Sequence, residues 1–277
     1  MSYSIFKDTM SDMSWTEIQC SIDKGAIVLL PTGVIEQQGP HLPTGSDIYV
    51  SHLICRKIKD QLQKDNIECL IAPPFYWGIN AITGAFPGSF TSRKETVKNV
   101  LFDIFECLTR WGVKHVFIVD IHGDPMHGEA LYEGIMAGRE SLGIDIRSVI
   151  SHWIAEDLGI HPENENFLIY TVEMSLEDFP APKEYLDIHA GEGSTAQMVK
   201  FFPELVNVDL ARQLEPANLN HDDLKKWHQG GEIARNITPL GYFGAPADFE
   251  KEDVDHLNLV DAISKFATIR LKEYLKR

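Results

Sequence analysis

The sequence predicts an α/β protein built on a mainly parallel sheet with helices on both faces. Short, continuously apolar runs recur at 26–30, 69–72, 115–119 and about 144–150, the pattern of strands buried on both sides. Longer stretches with apolar residues at helical spacing separate them, and strands alternating with helices build parallel sheets. The 277 residues, 44% of them hydrophobic and 24% charged, suffice for a large core without disulfide or metal staples.

Taken in order, Ser14-Trp15-Thr16-Glu17 has the form of a capping box, opening a short helix that Gly25 ends. Ala26-Ile27-Val28-Leu29-Leu30 is the first strand, and a long polar loop follows over 31–46. Asp47 is placed to cap a helix whose stripe includes Val50, Leu53, Ile54, Ile58 and Leu62. Cys69-Leu70-Ile71-Ala72 is a second strand, stopped by Pro73-Pro74. A helix over 93–110, a strand over 115–119, a loop through His122 and Gly123, a helix over 129–141 and a strand over 144–150 complete the regular part. Prolines at 162, 180, 182, 203, 216, 239 and 246 break the remainder into short pieces before a closing helix over 254–276. Residues 1–277 therefore read as one domain with an elaborated C-terminal part.

Twenty-five Lys+Arg stand against 41 Asp+Glu, a net charge of −16, with no basic cluster interleaved with aromatics. That balance repels phosphate backbones and anionic lipid, so neither nucleic acid nor membrane is the expected partner. No apolar run approaches the roughly 18 residues of a membrane span, and the first residues lack a signal-peptide pattern. A cytoplasmic protein acting on a small molecule is expected. Cys20, Cys55, Cys69 and Cys107 are widely spaced beside apolar neighbours, which predicts buried free thiols.

In an open parallel sheet, loops beyond the carboxyl ends of the strands meet at one edge. The unusual polar clusters fall on such loops: 32–47 after the first strand, with Glu36, His41 and Asp47, and 120–128 after the third, with Asp120, His122, Asp124 and His127. Carboxylates and imidazoles brought together in this way suit a divalent metal. Each also has a structural reading: Asp47 as a helix cap, Asp124 in a turn with Gly123 and Pro125, His41 and His127 as core or surface histidines. A third cluster, 187–196, contains His189, whose ordinary pKa suits proton transfer. Neither G-x-x-x-x-G-K-S/T nor G-x-S-x-G occurs, which argues against a phosphate cradle and a serine hydrolase.

The stretch from Glu36 to Asp47, E-Q-Q-G-P-H-L-P-T-G-S-D, resembles the creatininase (creatinine amidohydrolase) family loop E-Q-H-G-P-H-L-P-x-G-S/T-D. Phe86-Pro87-Gly88-Ser89, Ile121-His122-Gly123-Asp124 and His189-Ala190-Gly191-Glu192 resemble the family's F-P-G-S/T, N-G-H and H-A-G-E motifs in the same order. The resemblance implies a three-layer α/β fold, one or two divalent metals (zinc or manganese, with iron an option), hydrolysis of a small amide or related carbonyl compound, and a homo-oligomer, often a hexamer. By position, Glu36, His122 and a bridging Asp47 bind metal, and Asp124 stands where a second-metal carboxylate is found. The same correspondence makes His189, with Asp124, catalytic and puts Trp153 and Glu192 beside the substrate. Gln38 replaces the family's second loop histidine and is a neutral, weaker donor; Asp120 replaces an asparagine, and Ser194 a later glutamate. The implied reaction is attack of a metal-activated water on a small cyclic amide. Hydrolytic opening of a cyclic diketone such as an oxidised inositol, and a silent ligand-binding or scaffold relative, are the alternatives.

Overall fold

The computed structural model describes residues 3–157, 159–172, 185–251 and 259–276, apart from the side chains of residues 153 and 157. The elements are α1 (Trp15–Asp23), β1 (Ile27–Pro31), α2 (Ser46–Lys64), β2 (Cys69–Ile71), α3 (Lys94–Trp111), β3 (His115–Val119), α4 (Pro125–Leu142), β4 (Asp145–Ser151), α5 (His152–Asp157), β5 (Phe167–Tyr170), α6 (Glu192–Phe201), α7 (Val208–Ala211), α8 (His221–Trp227), α9 (Gly231–Ile237) and α10 (Leu259–Leu275). The five strands form one parallel sheet in the order β2-β1-β3-β4-β5.

Alternation explains the unbroken apolar runs. Ile27 and Leu29 of β1 face one side with Val50, Ile54, Ile58 and Leu62 of α2 and Val260 and Leu271 of α10. Val28 and Leu30 face the other, with Val97, Leu101 and Phe105 of α3 and Leu131 and Ile135 of α4. Both faces are covered, which gives three layers. Leu101 is fully buried, and truncating such a residue to alanine costs about 2–5 kcal/mol.

The local signals hold at most helix ends. Ser14 and Glu17 form the expected capping box on α1, and left-handed Gly112 and Gly143 end α3 and α4. Two expectations about the elements change. Helix α4 begins at Pro125 rather than 129, because Asp124 caps it and proline is well suited to the first helical position. Strand β5, a four-residue run inside the proline-broken half, was not expected; among the described residues it pairs with β4 alone, at the sheet edge. Of the four thiols, Cys55 and Cys69 are buried, but Cys20 is exposed on α1 and Cys107 half-buried.

The chain turns from β1 outward to β2, then crosses back over β1 to β3. The order in which strands are added thus reverses between β1 and β3, where doubly wound sheets open a crevice beyond the strand ends. The two polar loops leave the sheet there. None of the helices among the described residues is long and apolar enough to cross a membrane.

Candidate metal centre

The loop after β1 contributes Glu36, α2 contributes Asp47 in its first turn, and the loop after β3 contributes His122. Their ligand atoms lie within 4.8 Å of one another. His122 Nδ1 is 3.2 Å from Glu36 Oε1 and 3.1 Å from Asp47 Oδ2, with the imidazole almost wholly buried. The other ring nitrogen, Nε2, donates to the Ile79 carbonyl at 3.0 Å, which turns Nδ1 toward the carboxylates. Asp47 is not the cap of α2; Gly45 takes that position and supplies no side chain. The Asp47 carboxylate instead points inward at the positive end of the helix, which favours its charge.

Electrostatics mark the cluster as cation-seeking. Burial alone would raise Glu36, but the charges of His122 and His189 outweigh it and hold the carboxyl down to about 2. Asp47 is pushed up, first by burial and then by Glu36. Burial pulls His122 down, yet the two carboxylates carry it well above 6.5. Asp47 Oδ2 is buried with no hydrogen-bond partner, although His122 Nδ1 lies close by. An incompletely satisfied buried carboxylate oxygen beside an aligned imidazole nitrogen is a donor set that fits a divalent cation.

His189 stands across the cluster, Nδ1 being 3.9 Å from Glu36 Oε1. Its Nε2 donates to the Gln37 carbonyl at 2.9 Å, so Nδ1 is the nitrogen presented to the site. Residues 188 and 189 are held by a short antiparallel bridge to Phe243. Gly191 is required beside it: a Cβ there would lie 2.0 Å from Asp187 Oδ1 and 3.0 Å from the Gly244 Cα. Trp227 packs on the imidazole, ring centroids 5.7 Å apart, its indole N–H donating to Thr238 Oγ1. Ile82, Ile121, Ile188, Trp227 and His228 help wall a cavity of about 210 Å³ above the cluster.

Three of the expected residues sit differently. Asp124 lines the cavity but is not in the ligand cluster; Oδ1 accepts the Met126 and His127 N–H groups and Oδ2 those of Ala81 and Ile82. Four backbone donors occupy its carboxylate, which is a structural cap on α4. Glu192 is fully buried, its Oε2 accepting the Ala245 N–H, away from the cavity wall. Gln38 is beside the cluster, but its Nε2 donates to Asp47 Oδ1 at 3.0 Å and Glu36 Oε1 at 3.3 Å. Trp153 lies on α5, and its side chain is outside the described residues.

His41 and His127 of the two polar loops are engaged within the protein. His41 donates or accepts at Thr195 Oγ1 and is pushed down to about 4 by burial. Nδ1 of His127 accepts the Ile79 N–H, and Nε2 faces Asp120 at 3.5 Å. Asp120 Oδ1 also accepts from the Thr32 hydroxyl at 3.0 Å. Sequence reasoning missed Thr83, whose hydroxyl donates to Glu36 Oε2 at 2.5 Å, and the wall formed by Trp227 and His228. The proximity of Thr83 to the Phe86-to-Ser89 motif was a usable signal; helices α8 and α9 offered none.

The Creatininase family model, described as creatinine amidohydrolase, matches residues 11–265. The chain belongs to the creatininase family. A creatinine amidohydrolase of Pseudomonas putida is 24% identical over 78% of this chain and 79% of its own. A mycofactocin precursor peptide peptidase of Mycobacterium ulcerans is 26% identical over 79% and 74%. The fold matches a crystal structure of creatininase with a TM-score of 0.68 at 18% identity, covering 97% of this chain and 96% of that one. Similar structures include a manganese creatininase (TM-score 0.66, 16% identity, 97% of each chain) and a Zn-Zn type creatininase variant (0.67, 17%, 99% and 98%). The three-layer α/β architecture expected from the sequence is the one found.

Proposed function

We propose that this creatininase-family hydrolase is metal-dependent and cleaves the C–N bond of a small cyclic amide. The observation that carries the reading is the convergence of Glu36 Oε1, Asp47 Oδ2 and His122 Nδ1 on one point, with His189 Nδ1 across from them. These three atoms would hold the ion and leave a coordination position open. When bound, a divalent cation supplies electrophilic polarisation of a carbonyl and makes water a stronger acid.

The chain's own residues supply the rest. His189, locked by the Gln37 carbonyl, offers Nδ1 to take a proton from the attacking water and return it to the departing nitrogen. Trp227 holds that ring in place, and the isoleucines of the wall limit water around the reacting carbonyl. A cavity of about 210 Å³ suits one small ring, being below the range of drug-sized pockets. Two relatives named for amide chemistry, an amidohydrolase and a peptidase, support C–N cleavage over opening of a cyclic diketone.

The test is turnover of creatinine, hydantoin, short-peptide and cyclic-diketone panels by protein loaded with zinc or manganese, before and after chelation. Hydrolysis of a cyclic amide that stops on chelation is expected. Turnover of the diketone panel alone overturns the substrate class. Protein that takes up neither zinc nor manganese and turns over none of the panels when supplied with them overturns the enzyme reading and leaves a ligand-binding or scaffold role.

A further inference from the structure

The inner and outer oxygens of the cluster are not equivalent. Glu36 Oε1 and Asp47 Oδ2 face His122 Nδ1, whereas Glu36 Oε2 accepts the Thr83 hydroxyl and Asp47 Oδ1 accepts the Gln38 amide. The same amide nitrogen reaches Glu36 Oε1 at 3.3 Å. Two ionised carboxylates only accept hydrogen bonds, so an amide beside both presents its NH2, and an NH2 group is not a metal ligand.

A second ion beside the first needs a bridging carboxylate oxygen and further donor atoms. Asp47 Oδ1 would have to bridge, and Gln38 already occupies it. The four N–H groups on Asp124 occupy the other carboxylate that lines the cavity. His127 is committed on Nδ1 to the Ile79 N–H, and its Nε2 faces Asp120 Oδ1 at 3.5 Å. Among the described residues, Glu36, Asp47 and His122 form the one cluster able to hold a metal.

We infer that this centre takes a single divalent ion, in contrast to the Zn-Zn type neighbour, and that Gln38 is a positioning residue clamping the two carboxylates around it. The inference rests on the proposed metal dependence, and metal stoichiometry separates the two. Full-length protein is stripped with chelator, dialysed, and titrated with zinc, manganese and cobalt(II), following bound metal by elemental analysis and the visible absorption of the cobalt form. Saturation at one ion per chain is expected. Two ions per chain overturn the single-ion centre but leave the metal-dependent reading intact. No binding by any of the three ions overturns both.

The Gln38→Ala variant tests the clamp. It should still bind one ion, with affinity weaker by about 10–100-fold, the usual cost of losing a hydrogen bond to a ligand. The cobalt spectrum should change because the carboxylates are released, while the melting temperature of the stripped variant stays near that of stripped wild type. Unchanged affinity and an unchanged spectrum would overturn the positioning role. The wild-type titration decides the stoichiometry even where this variant fails to fold.

Discussion

Glu36 and Asp47 on the floor of the cavity, Asp124 in its wall and Glu192 behind it are buried carboxylates drawn from equally conspicuous sequence motifs, yet they differ in their partners. Asp124 has four backbone N–H partners, and Glu192 accepts the Ala245 N–H at 2.8 Å. Asp47 keeps one oxygen without a hydrogen bond, and Glu36 turns one oxygen to an imidazole. A carboxylate already satisfied by backbone donors is structural, whereas one left short faces a cation. Residue type does not separate the two classes; partner inventory does.

The contrast breaks most visibly at His122. In His122→Ala, metal affinity should fall by more than about 100-fold, beyond the loss expected for a supporting residue; equilibrium dialysis with elemental analysis reads it. Retention of wild-type affinity would mean that the floor does not hold the ion. His189→Ala should lower kcat by about 10²–10⁴-fold while metal content stays at the wild-type value, because a proton-transfer group is removed and no ligand is lost. Steady-state kinetics on the hydrolysed amide, run beside metal analysis, test both halves.

The carboxylates satisfied by backbone donors should respond in stability. Asp124→Ala leaves the N-terminus of α4 and the 81–82 turn without their acceptor and should cost about 2–4 kcal/mol, with unchanged metal stoichiometry. Denaturant unfolding measures the first and elemental analysis the second; loss of the ion with little loss of stability would move Asp124 into the metal site. Glu192→Gln keeps an acceptor oxygen and removes the charge, for a smaller cost of about 1 kcal/mol.

The cluster and the buried histidines outside it, His41 and His52 of α2, differ in pH dependence as well. His122 has a folded pKa above its unfolded value near 6.5, so its contribution to metal-free protein is complete below 6.5 and is lost as pH rises through the folded value. Chelated protein should therefore lose melting temperature on the alkaline side, and added zinc should restore it. His41 and His52 are held down to about 4 by burial, and between 6.5 and 4 the unfolded chain binds protons that the folded one refuses. Stability should fall with pH over that window, metal or no metal. Melting curves between pH 4 and 10 show whether both limbs are present.

Four of the five strands were legible in the sequence because burial on both faces leaves unbroken apolar runs. Helix α3 was legible because its stripe is long and a glycine ends it. Strand β5 was not: four residues at an edge, flanked by irregular chain, carry too short a signal to tell from a loop. Glu36, Asp47 and His122 could be placed together because strand order brings the β1 and β3 loops to one edge. The role of Asp124 could not be separated from that of Asp47 by the same argument, since both sit at helix starts and the deciding partners, Ala81 and Ile82, come from a distant loop. Trp227 reaches His189 only through the packing of the late helices, which no local pattern encodes.

The loop after β2 supplies none of the proposed metal ligands, yet its Ile79 peptide accepts from His122 and donates to His127, Ala81 and Ile82 tie down Asp124, and Thr83 fixes Glu36. It even leaves no room for a side chain at Gly78, where a Cβ would lie 2.4 Å from the His127 ring. This stretch works as a jig against which the other two loops are set. Changes in metal preference or reaction scope would then arise by reshaping residues 78–83, with every ligand untouched, and a library restricted to those six positions would sample new chemistry while keeping the donor set intact.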